Sequence, residues 1–120
     1  MRNIKNSLYK LAKEGKDNLI LHIPHSSNTI PFHDGYTCDK TALQTEILKL
    51  TDWYTDELFY SNIDSIIKAD FSRIFCDVER FSDDDQEVMA KYGMGDVYER
   101  NDDGEIIRIV SNKLKTKIPR

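Results

Sequence analysis

The chain has 120 residues, a net charge of −4 and a pI near 5.3, with 39% apolar and 32% charged residues. Those numbers suit a single domain over 1–120 with a thin core, since typical domains are ~45–50% apolar and ~25% charged. They exclude the basic face of a nucleic-acid binder, and no stretch approaches the roughly 18 apolar residues of a membrane span. With no apolar leader and only Cys38 and Cys76 at unrelated spacing, reduced thiols and a cytoplasmic location are expected.

In chain order, residues 4–14 form a short amphipathic lead-in carrying Ile4, Leu8 and Leu11, and Gly15 to Asn18 is a turn. Leu19 to Ile23 is an apolar run broken only by His22, which predicts a strand covered on both faces, with His22 a satisfied core histidine. Pro24 removes a backbone donor and ends that strand. His25, Ser26, Ser27 and Asn28 follow at once. In open α/β sheets ligands bind just beyond the carboxyl ends of strands, so His25 stands where a metal ligand or an acid/base group belongs. His33, in the loop from Pro31 to Gly35, reads as surface.

Residues 39–50 predict a helix with Asp39 as N-cap and Leu43, Ile47, Leu48 and Leu50 as its apolar stripe. Thr51 can cap a second helix running to about Ser61, with Trp53 and Leu58 in the core. On that helix Asp52 and Asp56 share a face. Asp52 there either complements the helix dipole or, with Asp56, awaits a cation or an arginine.

Ile63 to Ala69 and Arg73 to Val78 are two further strand candidates. On the second, Arg73, Phe75 and Asp77 face one way while Ile74, Cys76 and Val78 face the other. Arg73 and Asp77 make either an internal ion pair or, with Arg80, part of a fork for a substrate carboxylate. Glu79 could ligate a metal, act as a base or orient an arginine, and Asp83 to Asp85 reads as a solvated turn. One helical turn is expected at 86–91. Gly93 to Val110 predicts a hairpin about a type I′ turn at Asp103-Gly104, and Ser111 opens a lysine-rich helical start. The alternation of strands and helices predicts an α/β fold with a mixed sheet.

Four segments occur in one order: His22-Ile-Pro-His-Ser-Ser-Asn-Thr-Ile-Pro31, Leu50-Thr-Asp-Trp-Tyr-Thr-Asp-Glu-Leu-Phe59, Phe71-Ser-Arg-Ile-Phe-Cys-Asp-Val-Glu-Arg-Phe81 and Tyr92-Gly-Met-Gly95. From about Asn18 to Ile109 the chain resembles the N-formylglutamate amidohydrolase (N-formylglutamate deformylase) family. The resemblance implies a three-layer, mixed-sheet α/β fold of the phosphorylase/hydrolase-like, zinc carboxypeptidase-like kind. It implies metal-assisted hydrolysis of the formyl amide of N-formyl-L-glutamate in histidine breakdown. By the same resemblance His25 is a zinc ligand and Asp52 a candidate for a second. Arg73 and Arg80 hold the substrate carboxylates, with Ser26 and Asn28 as further substrate contacts.

Two departures qualify what is implied. Glu79 precedes Arg80 where related enzymes carry an asparagine, and Asn28 stands where a ligating glutamate is common. The family also continues to an Asp-x-His-Ser motif and a catalytic glutamate, both expected downstream of Arg120. The sequence therefore reads as an N-terminal portion, incomplete at its C-terminus, with weak or absent zinc binding, no turnover alone, and self-association through an exposed sheet edge. The partner expected is a small N-formyl amino acid. The alternatives are a non-catalytic module binding a small acidic ligand or a partner chain, and a hydrolase of another N-acyl amino acid.

Overall fold

The structure, a computed structural model, describes residues 19–118. The lead-in expected at 4–14 and the turn at 15–18 lie outside the described residues. Strand β1 (Ile20–Ile23) pairs in parallel with β2 (Ser65–Lys68), His22 opposite Ile67 and Ile23 opposite Lys68. Asp64 secures the entry of both strands, because its carboxylate accepts from the Leu19 amide at 2.9 Å and from the Ser61 hydroxyl at 2.8 Å. Between the strands run helix α1 (Lys40–Leu50) and the single turn α2 (Thr55–Leu58). After β2 come a 3₁₀ turn (Val88–Tyr92) and helix α3 (Asn112–Lys117). The described residues thus form a small α/β unit about a two-stranded parallel sheet.

Helix α1 follows from local chemistry. Asp39 accepts from the Ala42 amide at 2.7 Å, and Leu43 and Ile47, one turn apart, are both buried. Leu50 is partly buried, but Leu48 is exposed on the far side. Helix α3 starts as expected at Ser111, whose hydroxyl accepts from the Leu114 amide. It buries Leu114, and Ile118 just beyond it, beside Phe75, Cys76 and Val97. The other buried cluster joins Leu43 and Ile47 to Ile74, Met94, Tyr98 and Ile107.

Several expectations are corrected. Strand β1 is not covered on both faces among the described residues: Ile20 and His22 are exposed and only Ile23 is buried, so His22 is no core residue. An unbroken apolar run cannot say by itself which neighbours will cover it. The helix expected from Thr51 to Ser61 shrinks to 55–58 because Tyr54 sits in the left-handed region at φ 66°. Trp53 and Leu58 are accordingly exposed rather than core, although the Trp53 indole donates to the Leu48 carbonyl at 2.9 Å.

Residues 73–78 form no strand but a succession of turns. Ser72 captures this segment. Its hydroxyl accepts from the Ile74 amide and its carbonyl from Phe75 and Cys76. With the chain coiled this way Ile74 to Asp77 are all buried, Ile74 pointing into one cluster and Phe75 into the other.

Of the hairpin expected over Gly93 to Val110, a single antiparallel bridge forms, Arg100 to Ile106, with no strand on either side. Its turn is not type I′, since Asp103 keeps a negative φ. The Gly104 amide closes onto the Asn101 carbonyl at 3.0 Å, and Gly104 alone takes φ 82°. That is a type I turn followed by a left-handed glycine.

Candidate functional site

Pro24 releases the chain from β1, and His25 turns inward to become 5% exposed. Two other segments converge on its ring. The end of α1 arrives through a backbone bond, the Asp52 amide donating to the His25 carbonyl at 2.8 Å. The Asp52 carboxylate Oδ2 then stands 3.6 Å from Nδ1 of His25, beyond hydrogen-bond length and half exposed to solvent. From the opposite side Asp77 Oδ1 lies 2.7 Å from Nε2. Asp77 sits at the bottom of the turn series 72–77, its own amide donating to the Asp96 carbonyl.

Asp77 is the hub. Oδ1 also accepts from the Glu79 amide at 3.1 Å. Oδ2 accepts from the Tyr98 hydroxyl at 2.8 Å and from Arg73 Nη2 and Nε at 3.1 and 3.3 Å. Arg80 Nε stands 3.4 Å from the same oxygen. Burial works to raise the pKa of this carboxyl, but His25, Tyr98 and Arg73 outweigh it and hold Asp77 well below the usual carboxylate range. It is a permanent anion at neutral pH.

A buried anion beside a histidine nitrogen fixes the proton on that nitrogen and leaves the other lone pair outward. Here the outward nitrogen is Nδ1, and it faces a second carboxylate. A cleft of about 510 Å³ opens next to this group, lined by Asp77, Arg80, Phe81, Ser82 and Asp96 among others. Two guanidiniums share the single buried carboxylate of Asp77, and at the rim Arg80 Nη1 reaches Glu87 only at 3.9 Å. Arg80 Nε has no hydrogen-bond partner although it is buried.

The six residues singled out from the sequence are therefore placed as follows. His25, Arg73 and Arg80 meet around Asp77, and Asp52 stands on the other side of the His25 ring. Ser26 is partly buried and Asn28 exposed in the segment leaving His25. Asp52 precedes α2, so it shares no helical face with Asp56, whose carboxylate accepts instead from the Glu57 amide. Arg73 and Asp77 do form the internal pair weighed above. Glu79 contributes a backbone amide. His33 and the run from Asp83 to Asp85 are exposed, as expected.

Sequence reasoning missed that Asp77 holds His25 across 52 positions, and it missed Tyr98 altogether. For Asp77 a signal existed: a carboxylate closing the apolar run Ile74 to Cys76, with arginines four residues before and three after. For Tyr98 there was none. Among the described residues no group of three or more histidines, cysteines, aspartates or glutamates is arranged to hold a metal, and no helix is long and apolar enough to cross a membrane.

The Tyr92 to Gly95 segment has a scaffold role. Gly93 ends the 3₁₀ turn at φ 72°, where a Cβ would meet Arg100 Cγ at 2.6 Å, and a Cβ on Gly95 would meet Asp84 Oδ1 at 3.0 Å. This tight passage delivers Asp96, Val97 and Tyr98 to the floor of the site. No curated protein and no solved structure matches the chain. The family model described as N-formylglutamate amidohydrolase matches residues 17–117, nearly the whole sequence, and the chain belongs to that family.

Proposed function

We propose that this chain carries one side of a metal-dependent amidohydrolase site, in a three-layer fold of the zinc carboxypeptidase kind. The reaction is cleavage of the formyl amide of N-formyl-L-glutamate to glutamate and formate, a step of histidine degradation. His25 and Asp52 are the zinc ligands, and Arg73 and Arg80 receive the substrate carboxylates. The observation that carries this reading is the pair of distances at His25: 2.7 Å from Nε2 to Asp77 and 3.6 Å from Nδ1 to Asp52.

Two ligands at ~2.1 Å from a tetrahedral ion lie about 3.4 Å apart, so Nδ1 and Oδ2 have the spacing of donors to one cation. The Asp77 carboxylate behind Nε2 is the usual orienting partner of a ligating histidine. Zinc bound there would polarise the formyl oxygen and lower the pKa of its water to about 7. A catalytic zinc takes three protein ligands, so a further one is proposed from outside residues 19–118, and weak zinc affinity is expected of this chain.

The chain's own residues do the rest. Asp77 keeps the proton on Nε2 and the lone pair of Nδ1 outward. Arg73 is anchored on Asp77 through Nε and Nη2, while Arg80 borders the cleft with an unsatisfied Nε. Ser26 and Asn28, next along the chain from His25, are the proposed further contacts to substrate.

Zinc titration followed by the His25 ring resonances tests the ligand pair. His25→Ala and Asp52→Ala should each abolish the specific response, and N-formyl-L-glutamate binding should fall at least tenfold in Arg80→Ala. Zinc affinity untouched by both ligand replacements would refute the metal assignment.

A further inference from the structure

Tyr98 has no solvent exposure and lies in the apolar cluster of Leu43, Ile47, Ile74, Met94 and Ile107. A buried hydroxyl must find a partner, and this one finds Asp77 Oδ2 at 2.8 Å. The other oxygen of that carboxylate holds His25 Nε2. Arg73 and Arg80 neighbour the same hydroxyl. Tyr98 thus shares Asp77 Oδ2 with the arginines while its ring is gripped by the core.

The partners of Asp77 differ in stiffness. Arg73 and Arg80 are long, flexible side chains, 19% and 23% exposed. Tyr98 has two side-chain torsions, both locked by packing. Rotation of the Asp77 carboxylate decides whether Oδ1 addresses His25, and the rigid donor on Oδ2 is the one able to set it. Burial and the Asp77 charge push the Tyr98 hydroxyl up, so it remains a donor.

The geometry points to Tyr98 as a positioning residue: its hydroxyl fixes the Asp77 carboxylate, and through it the ring of His25, while keeping Arg73 and Arg80 gathered around Asp77. The inference rests on the reading of His25 as a zinc ligand for its consequence, though not for the contact itself. It differs from a general contribution to stability, because another tyrosine makes an equivalent bond elsewhere. Tyr36 donates to the Ile74 carbonyl at 3.0 Å and does not touch Asp77.

The test compares Tyr98→Phe with Tyr36→Phe in the full chain, each losing one inward-facing hydroxyl bond. Loss of a direct orienting partner costs ~10–100-fold in metal affinity. One step further out, Tyr98→Phe should weaken zinc by about 3–10-fold and shift the His25 Nε2 proton resonance, while Tyr36→Phe moves neither. A wild-type His25 proton and wild-type zinc affinity in Tyr98→Phe would overturn the proposal, as would equal shifts in both variants. If the wild type binds no zinc, the metal reading fails, and the His25 proton alone then decides about Tyr98. Should Tyr98→Phe not fold, the wild-type protein still decides. A Tyr98 hydroxyl proton protected from exchange supports the assignment, and a freely exchanging one refutes it.

Discussion

Among the buried charged residues, Asp77 and Arg108 are treated in opposite ways. Asp77 is surrounded by groups that favour its anion: His25, Tyr98, Arg73 and, slightly further off, Arg80. Arg108, only 1% exposed, has no carboxylate within ion-pair reach among the described residues. Nε donates to the Asp34 carbonyl and Nη1 to the Phe75 carbonyl, both at 3.0 Å, and Nη2 is left without a partner. Its guanidinium lies 4.2 Å from the centre of the Tyr36 ring. Burial accordingly pushes the pKa of Arg108 down. The first arrangement opens beside the partly exposed Arg80 onto a cleft, where a solute can meet it. The second is sealed and ties residues 34–36, 75 and 108 together. A buried charge with charged partners at a cleft edge is equipped for chemistry, whereas one held by carbonyls and rings is a strut.

The largest effect is expected from the hub. Asp77→Asn keeps shape and removes charge, leaving two guanidiniums without their shared partner. Breaking such a buried pair costs about 3–5 kcal/mol, and denaturant unfolding should show a loss of that size. The pH dependence has a definite sign. The Asp77 carboxyl is depressed in the folded chain, so its stabilisation is full above the unfolded value of ~3.9 and is lost as pH falls toward the folded value. Wild type and Asp77→Asn should therefore converge in stability below about pH 4. A constant gap down to pH 2 would mean that Asp77 is not the depressed group.

Arg108→Met should cost less. It strands the carbonyls of Asp34 and Phe75, at ~1–3 kcal/mol for unmet buried acceptors, but it also removes a desolvated charge and an unpartnered nitrogen. A net loss of about 1 kcal/mol is expected, with His25 resonances unchanged. If Arg108→Met unfolds the chain while Asp77→Asn is mild, the assignment of hub and strut is reversed.

How much of this was legible follows the range of the interactions. Asp39 and Ser111 cap helices through bonds three residues long, and both starts were readable. The apolar runs of β1 and β2 announced strands, though not which faces would be covered. Residues 73–78 alternate as a strand does, yet the hydroxyl and carbonyl of Ser72 and the distant Asp96 carbonyl coil them into turns. Asp103-Gly104 marked the correct turn but the wrong type, since Asn101 accepts from the amides of Asp103 and Glu105 and leaves only Gly104 left-handed. His25 was visible because a histidine just past a strand end is a local pattern. Its partners Asp52 and Asp77 reach it from distant segments, and the floor residue Tyr98 carries no mark that separates it from an ordinary core aromatic.

The comparison extends to the backbone. On the strut side the left-handed position is Gly35, at φ 85°, where a Cβ would lie 2.5 Å from the Ile109 carbonyl. On the site side, two residues beyond Asp52, the left-handed position is Tyr54, 66% exposed and making no capping bond. A non-glycine residue in that region costs roughly 1–2 kcal/mol, and such strain is tolerated where a site needs the geometry. Tyr54→Gly loses little packing and should stabilise the chain by about 1 kcal/mol, after the greater entropy of glycine in the unfolded chain is subtracted. Thermal unfolding reads the gain. If the turn only has to place the Asp52 carboxylate, zinc response stays within twofold of wild type. A stabilised variant with a weakened zinc response would instead make the Tyr54 strain part of what holds Asp52 toward His25.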